Sequence, residues 1–345
     1  MTLYRPDGSA VSLDGLTPIG AGAEGVVYGG PVHPDRCVKV YFTPSAALDR
    51  RHAGLRRLPP AGWSRPPVTD VGVAWPGAEL RDDHRWLRAV VLPRVDGVPL
   101  HDLFHVRARV AAVDHPTWAT NVLVAERVAR LFEHLHGARV VVGDVSSGNL
   151  LVDRAGRVTM IDCDGVQFVD RATGERFPAA HVTPEYASPE ALADPAGWLT
   201  RAHDLFGLAV LVYQLLMEGD HPFAGVPVDG PDVGVEGNIV AGACRLADGR
   251  LRPVRGGLPV EVLPPEVRAL ARRALVDGHA RPAARPTAVE WLGALRAAAS
   301  ALVGCRREPY HVVRSGSADC VWCRRREAGL GEHFPPVGAE TGGTR

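Results

Sequence analysis

Lysine is almost absent from this sequence. All but one of its 39 lysine and arginine residues are arginine, and the exception is Lys39. Arginine ends in a broad planar fork, whereas lysine ends in a compact ammonium group. A chain that uses lysine at one position alone indicates that this position needs the compact cation. Lys39 is therefore the first candidate for a functional residue.

The sequence also lacks an excess of charge and a long apolar run. Basic and acidic residues number 39 each, so a net charge of zero excludes a general attraction to nucleic acid or to an anionic membrane. The longest strongly apolar stretch, Leu205–Met217, is too short to span a bilayer and predicts a buried helix. No secretory signal opens the chain, so the six cysteines predict a cytoplasmic protein with thiols or metal ligands rather than disulfides.

A glycine-rich segment precedes Lys39. It carries Gly20, Gly22 and Gly25, and the strand-like run Arg36–Tyr41 follows it with Lys39 in its middle. Two strands around a glycine turn, with a lysine on the next strand, can cradle the phosphates of a nucleotide. The motif alone is weak, because a surface lysine beside a glycine-rich hairpin has the same pattern.

Further motifs follow in a fixed order. Asp144 lies five residues before Asn149, between apolar strand-like runs, and a second apolar strand, Val158–Ile161, leads to Asp162. Three more segments complete the set: Thr183–Glu190, the apolar helix His203–Leu216, and Arg285–Thr287. Chance does not readily produce six such motifs in this order.

Together these motifs resemble those of protein kinases, and especially a divergent bacterial subgroup of the eukaryotic-type Ser/Thr kinases. The resemblance covers about residues 19–302 and implies an α+β, bilobal fold. A small β-rich N-lobe is expected at 1–95 and a larger helical C-lobe at 96–302. Thr183–Glu190 resembles a peptide-positioning loop, which small-molecule kinases generally lack, so the resemblance implies a protein substrate.

The resemblance implies a role for each motif residue in phosphoryl transfer from ATP. Asp144 would be the base that orients the incoming hydroxyl, and Lys39 would contact the α and β phosphates. Asn149 and Asp162 would hold Mg²⁺, which prefers oxygen ligands. The three glycines would let backbone N–H groups approach the phosphates. The residues expected around the adenine ring are Val27, Cys37, Leu151, Pro93 and Val95.

Three matches are architectural. Asp204 would hydrogen-bond the backbone of the catalytic loop, although a plain helix N-cap is also compatible with its position. Glu190 and Arg285 would form a buried ion pair that joins the activation segment to the C-lobe. The sequence further predicts helices at 45–58, 117–136, 203–217, 265–275 and 288–302, an irregular insertion at 219–263, and a disordered tail at 330–345.

Several positions depart from the family pattern. Gly143 stands where the family has an arginine, so no cation would meet a phosphorylated activation loop. Ser146 replaces a lysine, and Cys163 and Asp164 replace Phe-Gly. The helix after the lysine strand contains no glutamate, and Asp49 is its only acid. Two hypotheses follow: an active Ser/Thr protein kinase, or a catalytically weak pseudokinase that serves as a nucleotide-binding scaffold.

Four candidate metal ligands cluster beyond the kinase region. Cys305, His311, Cys320 and Cys323 are a soft donor set that suits a structural Zn²⁺. They predict a zinc-ribbon-like segment at 303–329, closed by a hairpin between His311 and Cys320; loose thiols beside a surface histidine are the alternative. Arg324–Arg326 could let this segment contact nucleic acid or protein, although an ordinary solvated basic patch has the same sequence.

Overall fold

The computed structural model describes residues 1–58, 70–247 and 249–336. Pro59–Pro60, which the sequence predicts to end the first helix, and residues 337–345 of the predicted tail lie outside the described residues. Among the described residues, no helix combines the length and the apolar character needed to cross a membrane.

The N-lobe is built from short strands and one helix. Its elements are β1 (Thr2–Tyr4), β2 (Ala10–Ser12), β3 (Thr17–Ala21), β4 (Gly25–Gly29), β5 (Arg36–Tyr41), α1 (Ala46–Leu55), β6 (Val71–Val73), β7 (Glu79–Arg81) and β8 (Leu87–Pro93). Within the described residues, seven of these strands form an antiparallel sheet in the order β2-β1-β7-β8-β5-β4-β3. Helix α1 begins after Ser45, whose hydroxyl accepts the N–H of Leu48 at 3.1 Å.

Strand β5 shows how the sheet sorts its side chains. Alternate residues of a strand point to opposite faces. Val40 packs into the hydrophobic core of the N-lobe with Leu3, and Val38 packs against this core from the same face of β5. Lys39 and Tyr41 therefore share the other face. This register places the sole lysine on the side of the sheet that meets the C-lobe.

The C-lobe is mainly helical. Its elements are β9 (Val98–Pro99), α2 (Val106–Ala112), α3 (Trp118–Gly137), β10 (Leu150–Val152), β11 (Val158–Met160), β12 (Phe168–Val169), β13 (Arg176–Phe177), α4 (Pro189–Ala193), α5 (Arg201–Leu216), β14 (Val226–Pro227), α6 (Gly234–Ala241), β15 (Leu251–Arg252), α7 (Pro265–Arg272), α8 (Gly278–Ala280) and α9 (Ala288–Ser300). Helix α3 packs against both α5 and α9. Every residue from Asp204 to Leu216 is buried, as the apolar run predicts.

The five predicted helices are confirmed, with ends that differ by a few residues. Helix α9 begins with a reciprocal cap, because Thr287 accepts the N–H of Glu290 and the Glu290 carboxylate accepts the N–H of Thr287. The prediction of an irregular segment at 219–263 is partly wrong. Helix α6 and the paired strands β14 and β15 lie within it, and they were missed because glycine and proline dominate the composition there.

A small C-terminal module follows α9. It contains β16 (Leu302–Gly304), β17 (Val312–Arg314) and α10 (Val321–Glu327). The β16–β17 hairpin carries Cys305 and His311 in the connection between its two strands, rather than lying between His311 and Cys320 as expected. Trp322 and Phe334 are about 1% exposed and belong to the same hydrophobic cluster as the C-lobe core. Residues 332–335 are thus packed against the protein, contrary to the expected disorder.

Candidate functional site

The Lys39 side chain lies between the two lobes and is only 6% exposed. Its ammonium is 2.6 Å from Asp162 Oδ1 and 2.8 Å from Asp164 Oδ2, and Glu24 Oε2 lies 3.5 Å away. Strand β5 supplies the lysine, and the segment after β11 supplies both aspartates. Residues more than 120 positions apart in sequence are therefore joined at this point.

Mutual stabilisation keeps Lys39 and Asp164 charged. Burial alone would favour the neutral amine, but the carboxylates of Asp164 and Asp162 raise the pKa of Lys39 above its ordinary value. Burial would also favour a protonated Asp164, yet Lys39 holds the pKa of that carboxyl below its usual range. Burial and the neighbouring Asp164 instead raise the pKa of Asp162. The three groups thus behave as one unit.

Asp49, the one acid that the sequence offers on α1, does not pair with Lys39. Asp49 Oδ1 lies 2.8 Å from Arg81 Nη1, so it serves an ion pair within the N-lobe. The buried partner of the lysine is Asp164, which sequence reasoning recognised only as an added carboxylate. Its position two residues after Asp162 was the available signal.

The loop before β10 holds Asp144 and Asn149 in contact. Thr183 Oγ1 donates to Asp144 Oδ1 at 2.6 Å, and Asn149 Nδ2 donates to Asp144 Oδ2 at 3.1 Å. Both the end of the activation segment and the catalytic loop therefore fix the orientation of one carboxylate. Ser146, in the position of the missing lysine, accepts the N–H of Gly148 and caps a short helical turn.

Asp204 lies beneath this loop with no exposed surface. Its two carboxylate oxygens accept the backbone N–H groups of Val142 and Gly143, at 2.8 and 2.9 Å. The side chain also contacts His136 Nε2 at 2.8 Å. The structure thus favours the loop-bracing position over a plain N-cap. His136 was missed, because nothing near it in sequence indicates a buried partner.

The three glycines of the β3–β4 turn differ in their surroundings. A Cβ at Gly25 would lie 2.3 Å from the carbonyl oxygen of Val40, so this glycine is required by the close approach of β4 and β5. Gly20 and Gly22 are exposed and face open space. Of the three, only these two have open space beside them, and the Gly22 N–H donates to the Gly25 carbonyl at 2.9 Å.

The residues expected around adenine come from both lobes. Val27 of β4 pairs with Lys39 of β5, and Cys37 of β5 pairs with Leu92 of β8. Pro93 ends β8, and Leu151 lies on β10. Val95 follows in the half-buried linker between the lobes. Burial raises the pKa of the Cys37 thiol to about 11, so it stays protonated and apolar in character.

Position 143 requires glycine for a conformational and a steric reason. Its φ of +73° favours glycine, and a Cβ there would lie 2.4 Å from the Cβ of Ala179. The activation segment therefore occupies the space that an arginine side chain would need. Further along, Arg285 donates to both oxygens of Glu190 at 2.5 and 2.8 Å and ties the end of this segment to the C-lobe.

The ligand atoms of Cys305, His311, Cys320 and Cys323 lie within 4.8 Å of one another. The Cys305 and Cys323 sulfurs are 3.7 Å apart, and His311 Nδ1 is 3.3 and 3.6 Å from the Cys323 and Cys320 sulfurs. A tetrahedral Zn²⁺ with Zn–S bonds of about 2.3 Å would separate its ligand atoms by about 3.7 Å. His311 Nε2 contacts Glu332 Oε1 at 2.8 Å, which fixes the ring with Nδ1 facing the sulfurs.

A β-rich lobe and a helical lobe that meet at Lys39 and Asp162 define the bilobal fold of protein kinases, as the sequence predicts. Residues 82–233 match the family described as protein kinase domain. The chain is 30% identical to "Protein kinase YegI" of Escherichia coli O157:H7, over 98% of this chain and 52% of that protein. It is 29% identical to "Serine/threonine-protein kinase PknA" of Mycobacterium tuberculosis H37Rv, over 55% of this chain and 38% of that protein.

The chain thus contains a protein kinase domain and is similar to bacterial protein kinases over most of its length. It spans about half the length of the YegI proteins that it matches.

Proposed function

We propose that this chain is an ATP-dependent Ser/Thr protein kinase that transfers the γ-phosphate to a protein hydroxyl. The observation that carries the proposal is the 2.6 Å contact between Lys39 and Asp162 across the two lobes. Phosphoryl transfer depends on positioning and charge stabilisation, and this contact brings a phosphate-binding cation beside a metal-binding carboxylate.

The remaining parts of the site support the same reaction. Asp144 has its carboxylate fixed by Thr183 and Asn149, so it can accept a hydrogen bond from a substrate hydroxyl and hold it in line. Asn149 donates its Nδ2 hydrogen to Asp144, so its Oδ1 remains available to bind a cation. Asp162 has a side chain that is 49% exposed and can reach the same ion. Bound Mg²⁺ would neutralise the developing phosphate charge.

The nucleotide itself would lie between the lobes. Gly20 and Gly22 leave open space for its phosphates at the β3–β4 turn. Val27, Cys37 and Leu151 offer apolar surfaces to its base. The linker from Pro93 to Val95 offers carbonyl groups to the edge of the base. Proline retains a carbonyl although it lacks an N–H.

A protein rather than a small molecule is the proposed substrate. Thr183, at the start of the segment that resembles a peptide-positioning loop, contacts the proposed base directly. The four-ligand cluster of the C-terminal module is proposed to hold one structural Zn²⁺. No fifth candidate ligand is part of that cluster among the described residues, which suits a closed site.

Labelled ATP with Mg²⁺ tests the function. Wild-type protein is expected to label itself or a generic Ser/Thr substrate, and Asp144→Asn is expected to lower that labelling by about 10²-fold or more, as for loss of a general base. Binding of Mg²⁺-ATP without any transfer by the wild type would favour the second function, a nucleotide-binding scaffold. Ser146, which leaves the γ-phosphate without the family lysine, is the observation behind that alternative.

A further inference from the structure

The two aspartates at Lys39 are not equivalent. The Asp162 side chain is 49% exposed, whereas the Asp164 side chain is 4% exposed. Asp164 also binds the ammonium with both oxygens, at 2.8 and 3.1 Å, and Asp162 with one. An exposed carboxylate is free to exchange its partner for a metal ion. A buried one that lost its cation would be left uncompensated, so its pairing is far more persistent.

Asp164 is itself held in place from the N-lobe. Tyr41 donates its hydroxyl hydrogen to Asp164 Oδ2 at 2.5 Å, and the same hydroxyl contacts His52 Nε2 on α1 at 2.8 Å. Tyr41 and Lys39 lie two positions apart on β5 and share a face, so one strand presents both donors to one carboxylate. Asp164 therefore has a fixed orientation before any ligand arrives.

Helix α1 is attached to the backbone of the same segment. Arg51 donates from Nε to the carbonyl oxygen of Asp164 at 2.6 Å and from Nη1 to that of Pro178 at 2.8 Å. The acid of α1, Asp49, takes no part, since it pairs with Arg81. Helix α1 is thus connected to Lys39 through Asp164, which its Arg51 binds, rather than through an acidic residue of the helix.

We propose that Asp164 is the positioning residue for Lys39, in place of a carboxylate on helix α1. This inference rests on the proposed function, in which Lys39 contacts the phosphates. Asp164 keeps the ammonium in the cleft while Asp162 turns to the metal ion.

The single lysine makes a direct test possible. Protein labelled with ¹⁵N-lysine has one side-chain ammonium group, so one side-chain NMR signal reports on Lys39. In the wild type, without nucleotide, this signal is expected to exchange slowly with water. Asp164→Asn is expected to accelerate that exchange by about tenfold or more, because charge-assisted hydrogen bonds are lost. Asp49→Asn, the matched control on α1, is expected to leave the signal unchanged.

Steady-state kinetics separate positioning from metal binding. Asp164→Asn is expected to lower kcat by about 10- to 100-fold while KM for ATP changes by less than about threefold. The Mg²⁺ concentration needed for ATP binding, measured by calorimetry, should stay that of the wild type. Asp162→Asn is expected to raise that concentration. An equal rise in Asp164→Asn would make Asp164 a metal ligand and overturn the proposal.

Tyr41→Phe covers the case in which Asp164→Asn does not fold. It removes the hydroxyl that holds Asp164 and keeps the carboxylate, so the Lys39 signal should shift in the same direction by a smaller amount. An unchanged signal in both Asp164→Asn and Tyr41→Phe contradicts the proposal. If the wild type transfers no phosphate, the proposed function fails, whereas the NMR experiment still decides whether Asp164 holds Lys39.

Discussion

The cleft and the C-terminal module each contain a cluster of titratable side chains, and the two clusters are balanced differently. In the cleft, one ammonium lies among the carboxylates of Asp162, Asp164 and Glu24, so opposite charges already meet. In the module, three thiols and one imidazole surround a common point and all require a cation. Under the proposed function, the first arrangement would be stable without a metal ion and would use one for chemistry. The second would need its metal ion in order to fold.

The largest expected effect is therefore loss of zinc. Cys320→Ser should lower the free energy of unfolding by about 4 kcal/mol or more, since a metal site is lost. Trp322 and Phe334 belong to the C-lobe core, and Trp322 packs 5.9 Å from the Trp118 ring, so the loss should extend into that lobe. Urea unfolding and elemental analysis measure it. The variant Cys244→Ser, whose buried thiol is not part of the four-ligand cluster, should retain one zinc per chain.

Well under one zinc per wild-type chain, in protein purified without chelators, would contradict the zinc assignment. Removal of Mg²⁺ from the wild type should leave the urea midpoint unchanged, because Asp162 and Asp164 already pair with Lys39 without a metal ion.

Substitution of the single lysine should have the next largest effect. Lys39→Arg is expected to lower phosphoryl transfer by about 10³-fold, because arginine keeps the charge but not the compact geometry. The fold should persist, and circular dichroism checks this. Arg36→Lys, the reverse exchange on the same strand, serves as the control. Near-normal turnover in Lys39→Arg would remove Lys39 from the phosphate site.

Substitution of Asp162, the exposed carboxylate beside Lys39, should affect the binding of metal-bound nucleotide more than that of free nucleotide. Asp162→Asn is expected to weaken Mg²⁺-ATP binding by about tenfold, because a charged oxygen ligand becomes neutral. Binding of ATP without Mg²⁺ should change much less, and calorimetry with and without the ion measures both. Equal losses in the two conditions would show that Asp162 acts on the nucleotide and not through the metal.

Phosphatase treatment should change turnover by less than about twofold, since Gly143 offers no cation to a phosphorylated loop. Thr173 and Thr183 are the threonines of this segment, and both hydroxyls already donate, to Asp170 at 2.9 Å and to Asp144 at 2.6 Å. Thr173→Ala should therefore be tolerated. A dephosphorylated enzyme that is silent, with activity restored by rephosphorylation, would reverse this conclusion.

One further effect lies outside both clusters. Burial lowers the pKa of His221 to about 4, whereas the unfolded chain has a value near 6.5. The unfolded state binds more protons below pH 6.5, so this group reduces stability as pH falls from about 6.5 to 4. Replacing it by His221→Gln should flatten the pH dependence of unfolding by about 1 kcal/mol per pH unit in that range. Identical slopes in the two proteins would contradict a buried neutral His221.

The bilobal fold could be predicted from the sequence because each motif combines a local pattern with a fixed place in the order. The Thr287 cap and the apolar run before Met217 are local signals of this kind. The partner of Lys39 could not be predicted, because Asp49 and Asp164 are both acids near a motif and only packing distinguishes them. The same holds for His136, and for the packing of Phe334 against the C-lobe, which depends on contacts distant in sequence.

The contact between Gly143 and Ala179 limits how this kinase could evolve. An arginine at position 143 would bring a side chain into space already filled and would also require a left-handed backbone that disfavours it. Control by loop phosphorylation is thus not one substitution away from this sequence. The activation segment would have to shift first, and that shift would disturb the contacts that hold Asp144. A lineage built on this contact would more readily acquire regulation through new partners or appended segments than through its own loop.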